Sequence, residues 1–394
     1  MAAVRGARGA IGLDDPPDGA LRPGRPARPG VLVCHVAIPP VRVRRHPAQH
    51  LPPRSRGGSR GASRGRGRPL RIAVIGAGIA GLVAARDLVD AGHEVVVFEK
   101  SRGLGGRMAA RRAEGDAVVD HGLPVLDVPR GGVLAGFVVD LATDDLVDVT
   151  APGEPVPGRS SDGAPQLAWV SGMTRLPKAM AHGLEVVGAT RVAAIRADGD
   201  MLEVAQDQGN TLGTYDWVVV TAPGAQAADL LDHSPRGAVR AADMRAVPYD
   251  MAVMVLAGVA VGPPEWFAHH PLTGPIAYIT NEAAKDRPPV DGVASFVVRL
   301  GSDVSEDLVE ASDAAVLAEA LPALAKVLGK PAAKPDWTEV KRWRYSTTRD
   351  RLDQQALNPE GTRVLVAGDA VAAGPRMEDV AATGRWAARR ILGS

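Results

Sequence analysis

The sequence predicts an α/β fold with a parallel sheet that begins near residue 70, after a disordered basic tail. Two observations predict it. A short apolar run, Ile72–Ile75, is followed at once by a glycine-rich turn and an apolar pattern with helical spacing. Residues 1–71, in contrast, show no hydrophobic period and carry a net charge of +12. With 394 residues and 45% hydrophobic residues the remainder can form a core, which excludes wholesale disorder.

The N-terminal segment, residues 1–69, is expected to be disordered. Residues 1–70 hold eleven Pro and eleven Gly, and such a segment buries too little apolar surface to offset its ordering entropy. An RGG-like nucleic-acid arm and an Arg-rich transit peptide are the alternatives. The tail has almost no aromatic residues to stack on bases, and the rest of the chain carries a net charge of −11. We therefore expect no nucleic-acid partner.

The composition also limits the compartment and the kind of site. One cysteine, Cys34, excludes an internal disulfide framework and a redox-active dithiol, and the scattered histidines predict no metal site. The longest apolar run, Met251–Gly262, is shorter than the roughly 20 residues that span a bilayer. We expect a soluble, cytoplasmic protein with a small-molecule substrate and no membrane partner. A monomer and a homodimer both remain open.

The first predicted strand leads into a G-x-G-x-x-G motif that opens a helix, and Glu99 follows 18 positions after the last glycine. This context predicts a dinucleotide site. The three glycines permit a tight turn, close approach of the backbone to a pyrophosphate, and packing of the helix on the strand. The helix N-terminus favours phosphates, and the Glu99 carboxylate can accept hydrogen bonds from ribose hydroxyls. The motif alone does not distinguish NAD from FAD. The predicted dinucleotide contacts are Gly76, Gly78, Ile79, Ala80, Gly81 and Glu99.

A second glycine motif, Ser101–Met108 (SRGLGGRM), favours FAD. It follows directly after the second predicted strand, Glu94–Phe98. The segment resembles the second glycine motif of the amine oxidase, phytoene desaturase and renalase-like flavoproteins. The resemblance implies that the chain passes close to the FAD diphosphate and that Arg107 gives it a fork of charge-assisted donors. The implied contacts here are Lys100, Gly105, Gly106 and Arg107.

The C-terminal segment resembles the part of these flavoproteins that holds the ribityl chain. A strand-like run, Arg363–Ala367, precedes a Gly-Asp pair, and a predicted helix continues through Trp386 to Ile391. An aspartate at a strand end can accept a ribityl hydroxyl, and a helix N-terminus can stabilise negative charge on reduced flavin. The resemblance therefore implies non-covalent FAD. It adds Gly368, Asp369, Glu378 and Val380 to the cofactor site. Two other segments that resemble these flavoproteins add Gly122, in the Asp-His-Gly motif, and Val192, in a segment that resembles the one presenting backbone groups to adenine.

The order of motifs over residues 71–394 resembles the renalase-like NAD(P)/FAD-dependent oxidoreductases. The motifs are GAGIAGL (Gly76–Leu82), FEKSRGLGGRM (Phe98–Met108), DHG (Asp120–Gly122), GMTRLPKAMAHGL (Gly172–Leu184), KRWRYS (Lys341–Ser346) and VLVAGDA (Val364–Ala370). The resemblance implies a p-hydroxybenzoate hydroxylase-like fold, in which a Rossmann-type FAD domain is interleaved with a substrate domain on an antiparallel sheet. The implied FAD domain comprises residues 70–125, 172–232 and 355–394, and the substrate domain comprises residues 126–171 and 233–354.

The substrate domain is expected to contain three strands and a helix with an apolar face, which Pro322 should kink. The strands are Met251–Leu256, Val293–Leu300 and Thr338–Tyr345, and the helix is Asp313–Leu328 with Leu317, Leu321, Leu324 and Leu328 on its inward face. Trp343 and Tyr345 alternate with arginines on the last strand. These aromatic residues face either the flavin pocket or an ordinary half-buried core.

One segment departs from the family pattern, in which Asp-x-Gly is followed by Ala-Gln-Tyr-Phe. Here Gly122 is followed by Leu-Pro-Val-Leu, so that apolar residues replace an amide and an aromatic ring. We expect an altered substrate face and a structural role for the neighbouring His121. No catalytic residue is assigned. The candidate pocket residues are Trp343, Tyr345, Arg344, Pro124 and Val125.

The resemblance implies an FAD-dependent oxidoreductase that accepts a hydride from a small organic donor onto flavin N5. Oxygen or another acceptor then reoxidises the flavin. As in renalase-like relatives, the donor could be an aberrant dihydronicotinamide dinucleotide. An amine or isoprenoid oxidase or desaturase is the first alternative. A flavin-binding protein with a degenerate substrate site and a non-enzymatic role is the second.

Overall fold

The computed structural model describes residues 68–141, 145–149 and 165–393, and all of them belong to the same compact unit of the chain. The predicted disordered tail lies outside the described residues except for its last two positions. Within the described part, helices and several runs of consecutive strands precede residue 249, and a mainly antiparallel region occupies residues 249–348.

The strands, in chain order, are β1 (Arg71–Ile75), β2 (Glu94–Phe98), β3 (Ala110–Arg112), β4 (Val118–Asp120), β5 (Leu126–Asp127), β6 (Leu146–Asp148), β7 (Gln166–Trp169), β8 (Glu185–Val187), β9 (Val192–Asp198), β10 (Met201–Gln206), β11 (Thr211–Tyr215), β12 (Trp217–Val220), β13 (Tyr249–Val259), β14 (Ala268–His269), β15 (Ile276–Asn281), β16 (Ala294–Leu300), β17 (Trp337–Thr348) and β18 (Val364–Val366).

The helices are α1 (Ile79–Asp90), α2 (Ala135–Asp140), α3 (Arg175–Met180), α4 (Gly224–Asp232), α5 (Ala238–Ala246), α6 (Ser302–Leu308), α7 (Asp313–Leu328), α8 (Gln354–Leu357) and α9 (Met377–Leu392). Short 3₁₀ turns occur at Glu114–Asp116, Asp207–Gly209, Glu282–Lys285, Lys330–Ala333 and Asp369–Val371.

The first sheet is parallel, with the strand order β18-β12-β1-β2-β8. Its central strand β1 is buried from Ile72 to Ile75, because helices or loops cover both faces, as the continuous apolar run predicts. Helix α1 begins inside the glycine motif and ends at Asp90, and Gly92 follows with φ +91°. The predicted strand–turn–helix–strand unit is therefore confirmed.

The second large sheet is antiparallel, with the order β14-β15-β16-β13-β17, and a smaller antiparallel sheet is formed by β11-β10-β9. The strands predicted near residues 251, 293 and 338 all exist, and the first and last are longer than predicted. A parallel sheet combined with antiparallel sheets confirms the predicted fold class.

Helix α7 has the predicted bounds, but its buried face differs from the predicted one. Val316, Ala320 and Leu324 are buried, whereas the other predicted leucines are only partly buried at the edges of the contact. Small residues at the centre of the face let the helix lie close to the antiparallel sheet. Asp313–Leu328 forms one helix, and Pro322 lies inside it.

A three-stranded sheet with the order β5-β7-β6 belongs to the segment expected in the substrate domain. Its buried residues Leu126 and Trp169 share one core with Leu82 of α1 and with the inner residues of α9. The core next to the parallel sheet therefore includes part of residues 126–171, which were predicted to belong to the substrate domain. The predicted domain boundaries stay a proposal.

None of the helices in the described ranges combines the length and the apolar character needed to cross a bilayer.

Candidate active site

A cavity of about 1370 Å³ lies where the carboxyl ends of β1, β2, β12 and β18 meet the antiparallel sheet. Ligands bind parallel α/β sheets at this edge, where helix N-termini and loops converge. The opposite wall is formed by β13, β15, β16 and β17. The volume exceeds the roughly 300–1,000 Å³ of common small-ligand pockets, so the cavity can hold a dinucleotide.

The two glycine motifs form one end of this cavity. The Gly105 N–H donates to the Ala77 carbonyl at 2.9 Å, which places the two turns side by side. A Cβ atom on Gly78 would meet no heavy atom within 4 Å, and one on Gly106 would lie 3.7 Å from the Gly78 Cα. The surface here is bare backbone. It forms a cradle that side chains at these positions would fill.

Glu99 directly follows β2 and is buried in the wall of the same cavity. Its Oε2 accepts from the Ala77 N–H at 2.9 Å, and its Oε1 accepts from the Ser101 N–H at 2.8 Å and from the Ser101 hydroxyl at 2.7 Å. A carboxylate has about four acceptor sites, so capacity remains for a ligand hydroxyl. Glu99 therefore also fixes the turn of the first glycine motif, a role that the sequence did not predict.

Arg107 and Asp369, predicted to bind different parts of one ligand, contact each other in the cavity wall. An Arg107 Nη1 donates to Asp369 Oδ2 at 2.6 Å, and the Tyr249 hydroxyl donates to Asp369 Oδ1 at 3.2 Å. Burial acts to lower the pKa of Arg107, but the hydrogen bond and charge of Asp369 outweigh it and raise the pKa. Part of the Arg107 fork therefore serves Asp369, and the contact of its other donors with a diphosphate stays a prediction.

Most of the other predicted cofactor contacts also line the cavity. Those that do are Gly76, Ile79, Ala80, Lys100, Gly105, Gly122, Val192, Gly368 and Val380.

Two predicted contacts do not line the cavity. A Cβ on Gly81 would lie 2.0 Å from the Gly76 carbonyl oxygen, so Gly81 serves helix–strand packing, as its place in the motif suggested. Glu378 accepts hydrogen bonds from the Val133 N–H and, at 3.1 Å, from the Leu134 N–H. Its carboxylate holds the loop before α2, and its contact with the cofactor stays a prediction.

All five candidate pocket residues lie in the wall on the substrate side. Trp343 Nε1 donates to the His121 carbonyl at 2.8 Å. The Trp343 and His121 rings are stacked, with their centres 5.7 Å apart and an angle of 23° between their planes. The Tyr345 ring meets the Tyr249 ring edge-on at 5.3 Å. Pro124 and Val125 supply an apolar patch, and Arg344 is exposed and paired with Glu310 at 2.9 Å.

His121 is partly buried beside this wall, and its imidazole stays neutral to a lower pH than a free imidazole. Burial, followed by the charges of Lys341 and Arg111, lowers the pKa of His121 from 6.5 to about 4. The imidazole is neutral at pH 7. Its stacking on Trp343 supports the predicted structural role.

A buried ionic quartet under the DHG motif was missed from the sequence. Asp120 Oδ2 accepts from Lys285 Nζ and from Arg287 Nη2, each at 2.8 Å. Glu282 accepts from Lys285 Nζ at 2.9 Å and from Arg287 Nη1. Burial acts to raise the pKa of Asp120, but the charges of Lys285 and Arg287 outweigh it and lower the pKa.

The quartet joins the strand before the cavity loop to the 3₁₀ turn Glu282–Lys285 of the antiparallel region. Asp120 Oδ1 also accepts from the Met173 N–H at 2.9 Å. The only sequence signal was the acid of DHG itself, since its partners come about 160 positions later.

A second missed residue, Arg299, projects from β16 into the cavity between Met254 and Tyr278 of the neighbouring strands. Its Nη2 donates to the Ser346 hydroxyl at 3.3 Å. The sequence shows it only as one arginine in an apolar strand.

The lining fits FAD. The bare backbone of the glycine cradle fits a diphosphate, and the remaining acceptor capacity of Glu99 fits a ribose hydroxyl. Asp369 lies between β18 and α9 and lines the same cavity. No group of three or more metal-binding side chains that could hold an ion occurs in the described ranges.

Comparison with protein families gives two matches. The model of flavin-containing amine oxidoreductases matches residues 148–392, which is more than half of the chain. The model of NAD(P)-binding Rossmann-like domains matches residues 74–141. The predicted membership of the amine oxidase superfamily is confirmed.

Similar proteins include one with a short matching sequence segment and two solved structures with a similar fold. A 4,4'-diapophytoene desaturase of Staphylococcus aureus is 50% identical over 46 residues, which is 12% of this chain and only 9% of the desaturase. A candidate protoporphyrinogen oxidase from Exiguobacterium sp. 255-15 superposes with a TM-score of 0.66 at 15% identity, over 84% of this chain and 100% of the other. Cyclohexylamine oxidase from Brevibacterium oxydans gives 0.62 at 14% identity, over 82% and 99%.

Proposed function

This chain belongs to the family of flavin-containing amine oxidoreductases, and from that premise we propose which kind of donor it oxidises. It is an FAD-dependent oxidoreductase. We propose that a small organic donor enters the cavity on the side of Trp343, Tyr345 and Pro124 and is oxidised there. Oxygen or another acceptor then takes the electrons.

One observation carries the proposal. A single cavity runs from the glycine cradle at Gly78 to the antiparallel sheet at Trp343, so a dinucleotide and a donor can share it. FAD, when bound, supplies the two-electron oxidation. Gly78, Gly106 and Glu99 would hold its diphosphate and ribose, and Arg107 with Asp369 would hold the middle of the molecule.

The residues of the chain contribute orientation and exclusion of water. The apolar segment Leu123–Leu126 and the ring of Tyr345 line the substrate side, which favours a donor with an apolar portion. His121 stays neutral at pH 7 and supports Trp343, so that neither gives the site a charge.

The renalase-like resemblance favours an aberrant dihydronicotinamide dinucleotide as the donor. The second candidate is an amine, which the match to the amine oxidoreductase model over residues 148–392 favours. A protonated amine would need a free carboxylate, but Asp250 on the substrate side is paired with Arg349. We therefore rank the amine second. A cytoplasmic location and a small-molecule partner remain part of the proposal.

The experiment is an anaerobic reductive titration of the purified, FAD-loaded protein. Candidate dihydronicotinamides and amines are added, and bleaching of the flavin absorbance is followed. We expect bleaching by at least one dihydronicotinamide, and recovery of colour on admission of air if oxygen is the acceptor.

The titration has a matched control. The Trp343→Ala variant, which opens the substrate wall, should slow bleaching, whereas Trp386→Phe on α9, outside the cavity lining, should not. If the loaded protein is bleached by dithionite but by no donor, the enzymatic proposal fails, and a flavin-binding protein with a degenerate substrate site replaces it.

A further inference from the structure

The substrate side of the cavity contains an arginine that the proposed function has not used. Arg299 lies on β16, the central region of the antiparallel sheet, and lines the cavity together with Met254 and Tyr278. It is partly buried, and its neighbours on the same wall are apolar or aromatic. A guanidinium in such surroundings is expected to have an anionic partner.

Two other arginines on this wall have such partners. Arg342 pairs with Asp313 at 2.7 Å, and Arg344 pairs with Glu310 at 2.8 Å. For Arg299, in contrast, no carboxylate lies within ion-pair distance in the described part of the chain. Its charge is therefore available to the cavity.

The guanidinium is nevertheless held in place. Arg299 Nη2 donates to the Ser346 hydroxyl at 3.3 Å, and the Cζ atom lies 5.8 Å from the centre of the Tyr278 ring. The ring face attracts a cation without neutralising it, and the hydroxyl uses one of five N–H donors. Four donors remain, in the planar fork that matches two oxygens of one anionic group.

The acidic residues on the other elements of the wall do not neutralise the charge of Arg299, because they have partners of their own. Asp250 of β13 is paired with Arg349, and Asp369 is paired with Arg107. Asp127, on the loop side, also has an interaction partner of its own.

We propose that Arg299 binds an anionic oxygen group, a carboxylate or a phosphate, on the donor that this enzyme oxidises. The proposal rests on the proposed function, because it takes the donor to lie in this cavity. Arg299 would then act in specificity: it would favour donors with an anionic end and disfavour simple cationic amines by charge repulsion.

The test measures anion binding without turnover. Acetate, benzoate and inorganic phosphate are titrated separately, in a zwitterionic buffer, into the oxidised FAD-loaded protein, and the shift of the flavin absorption spectrum gives a Kd for each. We expect at least one of the three to bind with saturation. A stronger response to benzoate indicates a carboxylate donor, and a stronger response to phosphate indicates a phosphorylated one.

Three variants assign the effect to this residue. Arg299→Gln should raise the Kd by about 10- to 100-fold, the loss of one or more charge-assisted hydrogen bonds. Arg299→Lys should lie between the two, because it keeps the charge and loses the fork. Arg389→Gln removes the same charge from an exposed position outside the cavity lining and should change the Kd by less than about twofold.

The proposal is overturned if no anion perturbs the wild-type spectrum, or if Arg299→Gln binds the anion as well as wild type. Loss of FAD from both Arg299 variants would also overturn it, since Arg299 would then be a cofactor contact. Failure of the proposed function is a separate result. It appears as a lack of reduction by any donor, whereas anion binding is read in the oxidised protein.

Discussion

Removing one charge from the buried quartet tests how the cavity loop is anchored. We consider Asp120→Asn, which keeps the shape of the side chain and the acceptor for the Met173 N–H. The quartet has two carboxylates and two cations, and the side chains of Asp120 and Lys285 are 0% exposed. The substitution leaves the remaining members with a net charge of +1 in a buried site.

The expected cost follows from that imbalance. Breaking a buried ion pair by removing one partner costs about 3–5 kcal/mol, because the other charge stays buried and uncompensated. The double variant Asp120→Asn/Lys285→Met restores neutrality between Glu282 and Arg287. We expect it to be less destabilised than the sum of the two single variants, with a coupling of about 0.5–3 kcal/mol.

The assay is urea unfolding of the FAD-saturated protein, followed by tryptophan and flavin fluorescence, with the midpoint compared among variants. Asp198→Asn, an exposed carboxylate on β9, is the control and should shift the midpoint little. If Asp120→Asn behaves like Asp198→Asn, or if the double variant costs the full sum, the quartet does not act as one buried unit and the reasoning is refuted.

The remaining predictions concern the motif and the loop. Glu99→Ala should weaken FAD binding by about 10- to 100-fold, while Glu99→Gln, which keeps an acceptor for the Ala77 N–H, should weaken it less; equilibrium dialysis measures both. Gly81→Ala should lower the Tm because its Cβ would lie 2.0 Å from a carbonyl oxygen, whereas Gly78→Ala should mainly lower FAD affinity; equal Tm losses would contradict this. The pKa of His121 is about 4 in the folded protein, below its value in the unfolded chain. The contribution of His121 to stability is therefore fully present above pH 6.5 and is lost as the pH falls toward 4. His121→Gln should remove up to about 3 kcal/mol of that pH dependence, and parallel stability curves for the two proteins would exclude it.

The dinucleotide end could be predicted because its signals are local. The apolar run of β1, the glycine turn and the start of α1 follow one another within about twenty residues, and each is set by backbone chemistry. Gly368 and Asp369 could be predicted for the same reason, since a strand and a helix flank them.

The substrate side could be predicted only in outline. Strand β17 was expected, but the stacking of Trp343 on His121 depends on a contact between residues 222 positions apart. The face of α7 was predicted from the spacing of its leucines, whereas the structure buries Val316, Ala320 and Leu324. No local sequence pattern marks Arg299 or the partners of Asp120. Their roles depend on which charged residues, distant in the sequence, lie next to them in the fold.

The contact between Arg107 and Asp369 changes how the two cofactor motifs relate to each other. The sequence suggested two independent sites on one ligand, 262 positions apart. In the structure they form one ion pair, which Tyr249 extends and which Ser346 joins through its carbonyl at 3.3 Å. Removing Asp369 would therefore leave a partly buried guanidinium without its carboxylate as well as remove an acceptor. Because Ser346 also holds Arg299 through its hydroxyl, the same strand links the cofactor pair to the proposed anion site. Ser346 of β17 thus contacts both the cofactor pair and the arginine of the proposed anion site.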